Sequence, residues 1–199
     1  MNKKILSKLI LKFRNLLFKA LFLEVPLPKH PFGKEIYANK EKYLELFHNA
    51  IENENIRIEE FENKYGFKVE KQWFNKLALH TQTCIKKKDL NFSHGRLLYT
   101  VLSKYLQTLD SSYNNPINIL ETGTARGFSA ICMSKALIDN NKFGHLITID
   151  CISHNEKMIW NCIDDLEGTK TRYELLKPGE EEISNIPFLQ GWTETMVYK

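Results

Sequence analysis

Apolar side chains recur at every third or fourth position through the first half of the chain and collect into short unbroken runs in the second. The first pattern predicts helices with one buried stripe, the second buried strands. Tyr43, Leu44, Phe47 and Ile51 keep helical spacing, as do Trp73, Phe74, Leu77 and Ala78. Gly66 marks a break between helices. Ser93 precedes a further run through Leu97, Leu98, Val101, Leu102, Tyr105 and Leu106. The region 36–112 is therefore read as helical, with a polar turn between Asp110 and Pro116.

Beyond Pro116 the period changes. Residues 117–120 and 145–149 are short, apolar and rich in β-branched side chains, which predicts two strands. A glycine-containing loop (124–128) and a helix (129–137) lie between them. A third strand is expected at 186–190, where Pro187 restricts it to an entry or edge position. Residues 156–178 are mixed polar and read as partly helical. Glu180, Glu181 and Glu182 read as a solvated turn or helix start. Strands alternating with helices imply a parallel sheet with right-handed crossovers. The expected fold class is thus α/β: a partial Rossmann-like sheet at 115–199, preceded by a helical region.

The N-terminus has its own pattern. On a helical wheel Lys4, Lys8, Lys12, Asn15 and Lys19 share one side, and Ile5, Leu6, Leu9, Ile10, Phe13, Leu16, Leu17, Ala20 and Leu21 fill the other. Residues 1–24 are read as a basic amphipathic helix, and the cluster Pro26, Pro28, Pro31 and Gly33 makes 25–35 a linker. The lysines interrupt the apolar stretch too often for a secretory signal or a membrane span. Two readings remain: a helix lying on an anionic membrane surface, or one packing its stripe on protein. Net charge is +4 over 199 residues, and the first nineteen carry six basic residues and no acid. The remainder is nearly neutral, which argues against a nucleic-acid-binding body. The four cysteines form no CxxC pair and no His/Cys metal pattern. They read as small buried apolar residues in a reducing, cytoplasmic compartment.

Candidate chemistry concentrates in Ile119–Ser129. Glu121 ends the first strand, and Gly123 and Gly127 follow it. Gly123 permits a tight turn and close approach of a ligand, and Gly127 leads into the helix, whose N–H groups face the crevice at the strand's carboxyl end. The spacing is E-x-G-x-x-x-G, not the G-x-G-x-x-G of dinucleotide enzymes. With no pyrophosphate to cradle, a cationic ligand suits the carboxylate of Glu121. Asp150, at the end of the second strand, is placed to accept hydrogen bonds from ribose hydroxyls. Glu121, Gly123, Thr124, Gly127, Asp150 and Trp192 make up the expected cofactor site.

Residues 117–152 resemble class I S-adenosylmethionine-dependent methyltransferases. The resemblance implies that the acid-and-glycine loop wraps the cofactor and that Asp150 binds its ribose. The stretches 149–168, 174–178, 188–191 and 94–99 look like a narrower bacterial group linked to surface-polysaccharide biosynthesis. The motif, the family resemblance and the amphipathic helix together give the expected function, O-methylation of a sugar or glycan precursor at the inner membrane face if residues 1–23 bind there, with a small-molecule or glycan acceptor as partner. The family usually has an acid after the glycine of strand three, beside adenine. Here Trp192 stands there, either to stack on adenine or to pack. The family also continues with a fourth strand and three more, carrying the groups that deprotonate the acceptor. The chain is therefore expected to be C-terminally truncated, with strand one as an apolar edge, unless another chain covers it in a homo-oligomer. No catalytic residue is assigned and no metal is expected. His154 is the one candidate base, and the alternative is a surface histidine. A remnant or cofactor-binding module without turnover is the competing function. Trp160, Asp164 and Asp165 are read as a substrate lip or a solvated face, Arg126 as a partner of Glu121 or of water, and His94 and Arg96 as pocket residues or helix packing.

Overall fold

The computed structural model describes residues 10, 12, 13, 29–53, 55–110 and 113–196. Most of the amphipathic helix and residues 25–28 of the linker lie outside the described residues. Of that helix, Ile10, Lys12 and Phe13 are described, and they are helical and exposed.

Four helices lead into the sheet: α1 (Lys40–Glu52), α2 (Ile56–Tyr65), α3 (Lys71–Thr81) and α4 (Ser93–Thr108). Local chemistry sets their starts. Asn39, Asn55 and Glu70 each accept a backbone N–H from the first turn of the helix they precede, satisfying donors that have no partner inside it. Gly66 ends α2 in the left-handed conformation, as its position in the sequence suggests. The predicted helical region is interrupted at 82–92, which is loop.

Strand β1 (Ile117–Thr122) is followed by α5 (Phe128–Asp139) and β2 (Gly144–Asp150). After a long irregular strap come three short helices and one strand: α6 (Arg172–Leu175), α7 (Glu180–Ile183), β3 (Phe188–Gln190) and α8 (Thr193–Met196). The three strands are parallel in the order β1-β2-β3. Thr122 pairs with Ile149, and Asp150 with Gln190, so the carboxyl ends of the strands lie side by side. The expected α/β class, with a parallel sheet behind a helical region, is what the chain forms.

One core runs through both halves: Phe74, Leu77, Phe92 and Tyr99 from the helical region meet Phe128, Ile131, Leu146 and Leu176. Polar ties reinforce the α4–α5 contact. Tyr99 donates to Asp139 at 2.7 Å, and the Asn140 amide to Ser103 at 3.0 Å. The other face of the sheet is open among the described residues. Leu120 is 57% exposed, and Ile147 and Leu189 are more than a third exposed. Strand β1 lies at the edge of the sheet, pairing only with β2 among the described residues.

The strap between β2 and α6 is ordered from within by polar groups. Asp165, fully buried, accepts the N–H groups of Trp160 (2.8 Å) and Cys162 (3.0 Å). Trp160 is also fully buried, and its indole donates to the Lys170 carbonyl. Asp164 binds His80 of α3 at 2.6 Å and Lys170 at 2.9 Å. The Asn161 side chain exchanges two hydrogen bonds with the backbone of Ile85. Trp160, Asp164 and Asp165 therefore form neither a substrate lip nor a solvated face. Asp165 and Trp160 fold the strap on itself, and Asp164, with Asn161, pins it to the helical region. The acidic run at 180–182 does begin a helix, but Glu182 is buried rather than solvated.

Candidate functional site

The loop joining β1 to α5 turns through three left-handed residues, Gly123 (φ 83°), Ala125 (φ 48°) and Gly127 (φ 87°). The Gly123 N–H donates to Ile149 O, carrying the strand ladder one residue past β1, and the Gly127 N–H closes back on Thr124 O at 2.7 Å. The two glycines serve different ends. A Cβ on Gly127 would sit 2.7 Å from Leu176 of the core, so this glycine lets the loop lie close over buried side chains. A Cβ on Gly123 would meet nothing within 4 Å. The space beside Gly123 is open, and its backbone can be approached directly.

Glu121 lies next to that space. Its carboxylate accepts from the Thr148 hydroxyl at 2.5 Å, and Thr148 in turn shares a hydrogen bond with Thr124 at 2.6 Å. Thr148 and Thr124 are buried and Glu121 is half-buried. Burial raises the Glu121 pKa above the ordinary carboxylate value, and the neighbouring negative charge of Asp150 adds to the rise. The Thr148 hydrogen bond and the Arg172 charge oppose it. A carboxylate in this state is stabilised by an added positive charge.

Asp150 is 6% exposed. Its two oxygens accept the N–H groups of Ala125 (2.5 Å) and Ile152 (2.8 Å), and the guanidinium of Arg172 approaches to 3.8 Å. Asp150 thus holds the left-handed turn of the loop in place. As a carboxylate it retains acceptor capacity beyond these bonds. The Gly191 N–H donates to the Asp150 carbonyl at 2.8 Å, which brings the turn after β3 to the same rim. Trp192, half-buried, follows immediately, and its carbonyl accepts the Thr195 and Met196 N–H groups at the start of α8. Glu121, Gly123, Thr124, Gly127 and Asp150 therefore come together at the carboxyl end of the sheet, with Trp192 two residues past the register partner of Asp150.

No family model and no curated protein matches the sequence. Among solved structures, the chain is similar to the SAH-bound methyltransferase PaMTH1 of Podospora anserina. Identity is 12% and the TM-score 0.38, over 83% of this chain and 56% of that one.

Arg172 escaped the sequence reading. It is 1% exposed and donates from Nε to the Ala125 carbonyl at 2.9 Å and from Nη1 to the Ile152 carbonyl and His154 Nδ1. Nothing local marks it, because its partners lie 18 to 47 residues away. Thr148 was equally hidden, inside an apolar run. His154 is buried rather than a surface histidine. It is 5% exposed, packs on Phe188, and has its pKa lowered to about 4 by burial and by the Arg172 charge. Arg126 pairs with neither Glu121 nor water alone. Its Nε donates to the Trp160 carbonyl, and its guanidinium stacks 4.1 Å from the Phe32 ring. His94 packs against Phe128, and Arg96 pairs with buried Glu62, so the packing alternative describes both.

The cysteines are free, Cys132 and Cys162 buried and Cys84 and Cys151 partly so. Among the described residues, no cluster of three or more His, Cys, Asp or Glu could hold a metal ion, and no helix is long and apolar enough to cross a membrane.

Proposed function

We propose that the loop 121–127 and Asp150 bind S-adenosylmethionine, and that the chain carries the cofactor-binding part of a methyltransferase. The observation that carries this reading is the pairing of an open approach at Gly123 with the half-buried Glu121 carboxylate. A cationic ligand fits that pairing, whereas the loop lacks the glycine spacing of a pyrophosphate cradle. Bound there, S-adenosylmethionine would supply an electrophilic methyl group on a sulfonium centre. Glu121 favours the positive charge, and the open side of Gly123 lets the ligand lie close against the backbone. Asp150 sets the shape of the loop and offers its remaining lone pairs to the ribose hydroxyls. Trp192, at the rim, offers a face for adenine. Positioning of this kind is the main demand that in-line methyl transfer makes on a protein.

The finer reading is O-methylation of a sugar or glycan precursor at the inner face of the membrane. Its support is the resemblance over 149–191 and the basic amphipathic pattern of residues 1–23. Flotation of the chain with vesicles containing anionic lipid, but not with neutral ones, tests the membrane part.

Calorimetric titration with S-adenosylmethionine tests the cofactor. Binding is expected for the wild type and is weakened at least tenfold in Glu121→Ala, a loss of about 1.4 kcal/mol. A folded wild-type chain that releases no heat and shows no thermal shift with the ligand would refute the reading. Binding without transfer to any sugar acceptor would favour the cofactor-binding module without turnover.

A further inference from the structure

The acids of the site do not stand alone. Glu121 and Asp150 lie on neighbouring strands at the same rim, close enough for the Asp150 charge to help raise the Glu121 pKa, after burial. Beneath them lies Arg172, with Nη2 3.8 Å from Asp150. Its guanidinium is sealed from solvent by the strap and bridges the loop (through Ala125) and the start of the strap (through Ile152 and His154). A buried cation is costly unless opposite charge faces it, and here Asp150 and Glu121 supply that charge. The three groups sum to a single negative charge behind the ligand space.

We infer that Arg172 is the positioning counter-charge that sets how strongly the site prefers a cationic cofactor over its neutral product. This rests on the reading of the site as one for S-adenosylmethionine. That ligand carries one more positive charge than S-adenosylhomocysteine and otherwise nearly the same groups. A site holding one net negative charge attracts the sulfonium form without gripping it as two unbalanced acids would. With Arg172 in place, loss of the methyl group leaves a neutral ligand facing one net negative charge, and the attraction that favoured the sulfonium form is gone. The same guanidinium also orients the loop, so a purely structural role has to be separated from the electrostatic one. A loop out of place weakens both ligands alike. A missing charge changes their ratio.

The experiment is titration of the full chain with S-adenosylmethionine and with S-adenosylhomocysteine, read as the ratio of the two affinities. Removing the charge in Arg172→Met shifts the ratio toward the cationic ligand by about tenfold, the scale expected for one charge felt across a half-buried site. Arg172→Lys keeps the charge and loses the fork, so both ligands weaken and the ratio stays. Glu121→Gln shifts the ratio the opposite way. The double variant Glu121→Gln/Arg172→Met removes one charge of each sign and returns the ratio to that of the wild type, which also decides the matter if Arg172→Met alone does not fold. A double variant with the same ratio as Glu121→Gln overturns the inference, as does an unchanged ratio in folded Arg172→Met. In both cases wild-type binding shows that the cofactor reading itself stands. A folded wild type that binds neither ligand overturns both.

Discussion

Adding one methyl group at Gly127 and the same group at Gly123 separates the two tasks of the loop. Both glycines sit at nearly the same left-handed φ, so Gly→Ala carries a similar backbone cost at each, about 1–2 kcal/mol. The surroundings differ. At position 127 the new Cβ meets Leu176 Cδ1 at 2.7 Å and Cδ2 at 3.2 Å, and Leu176 is fully buried with little room to retreat. Overpacking of that kind adds about 1–3 kcal/mol. At position 123 the Cβ enters open space. Gly127→Ala is therefore expected to lose about 2–5 kcal/mol of unfolding free energy, and Gly123→Ala only the backbone part. In urea unfolding followed by circular dichroism, the two midpoints should be separated by about 1 M. Ligand binding reverses the order. Gly123→Ala fills the approach to the backbone and abolishes the heat of cofactor binding, while Gly127→Ala, where still folded, retains most of it. Equal midpoints for the two variants would refute the division of labour, as would a Gly123→Ala chain that binds as the wild type does.

Two further expectations follow from buried ionisable groups. His154 titrates near 4 in the folded chain against about 6.5 when unfolded, so protons bind the unfolded state first. Stability is fully present above about pH 6.5 and falls as the pH drops toward 4, by up to about 3 kcal/mol. His154→Gln should flatten that decline in a series of thermal melts, and an unchanged slope would contradict it. Asp164 is held below the ordinary carboxylate range by His80 and Lys170, against the opposing effect of burial. Its contribution is present above about pH 4 and is lost as the pH falls through its folded value. Asp164→Asn should cost about 1–3 kcal/mol at neutral pH and nothing below that fall, whereas a cost that persists at pH 2 would point to packing instead.

Where a local pattern was enough to specify the structure, the sequence was legible. The apolar runs at 117–120 and 145–149 are strands because a buried parallel strand has no polar face to show, and Gly66 ends a helix because few other residues adopt its conformation. Glu121, Gly123, Thr124, Gly127 and Asp150 converge because parallel pairing aligns the strand ends, a consequence of topology that the alternation of elements already implies. The strap from 151 to 178 was illegible for the opposite reason. It has no period, and its order comes from Asp165, Asp164 and Arg172, each satisfied by partners that sequence spacing does not reveal. Acids and arginines in a polar stretch read as solvated by default, and only the fold shows Trp160 closing over them. Asp150 carries both lessons. Its place at a strand end was readable, but its grip on Ala125 and Ile152 was not.

The open face of the sheet alters how this chain responds to denaturant. The slope of an unfolding transition reports the surface newly exposed, and Leu120, Ile147 and Leu189 are already wetted before unfolding begins. Part of the surface that unfolding would wet is already in contact with solvent in the folded chain. The chain should therefore melt with a shallower denaturant slope and a smaller heat-capacity step than its length suggests. Any molecule that dries the face will steepen both.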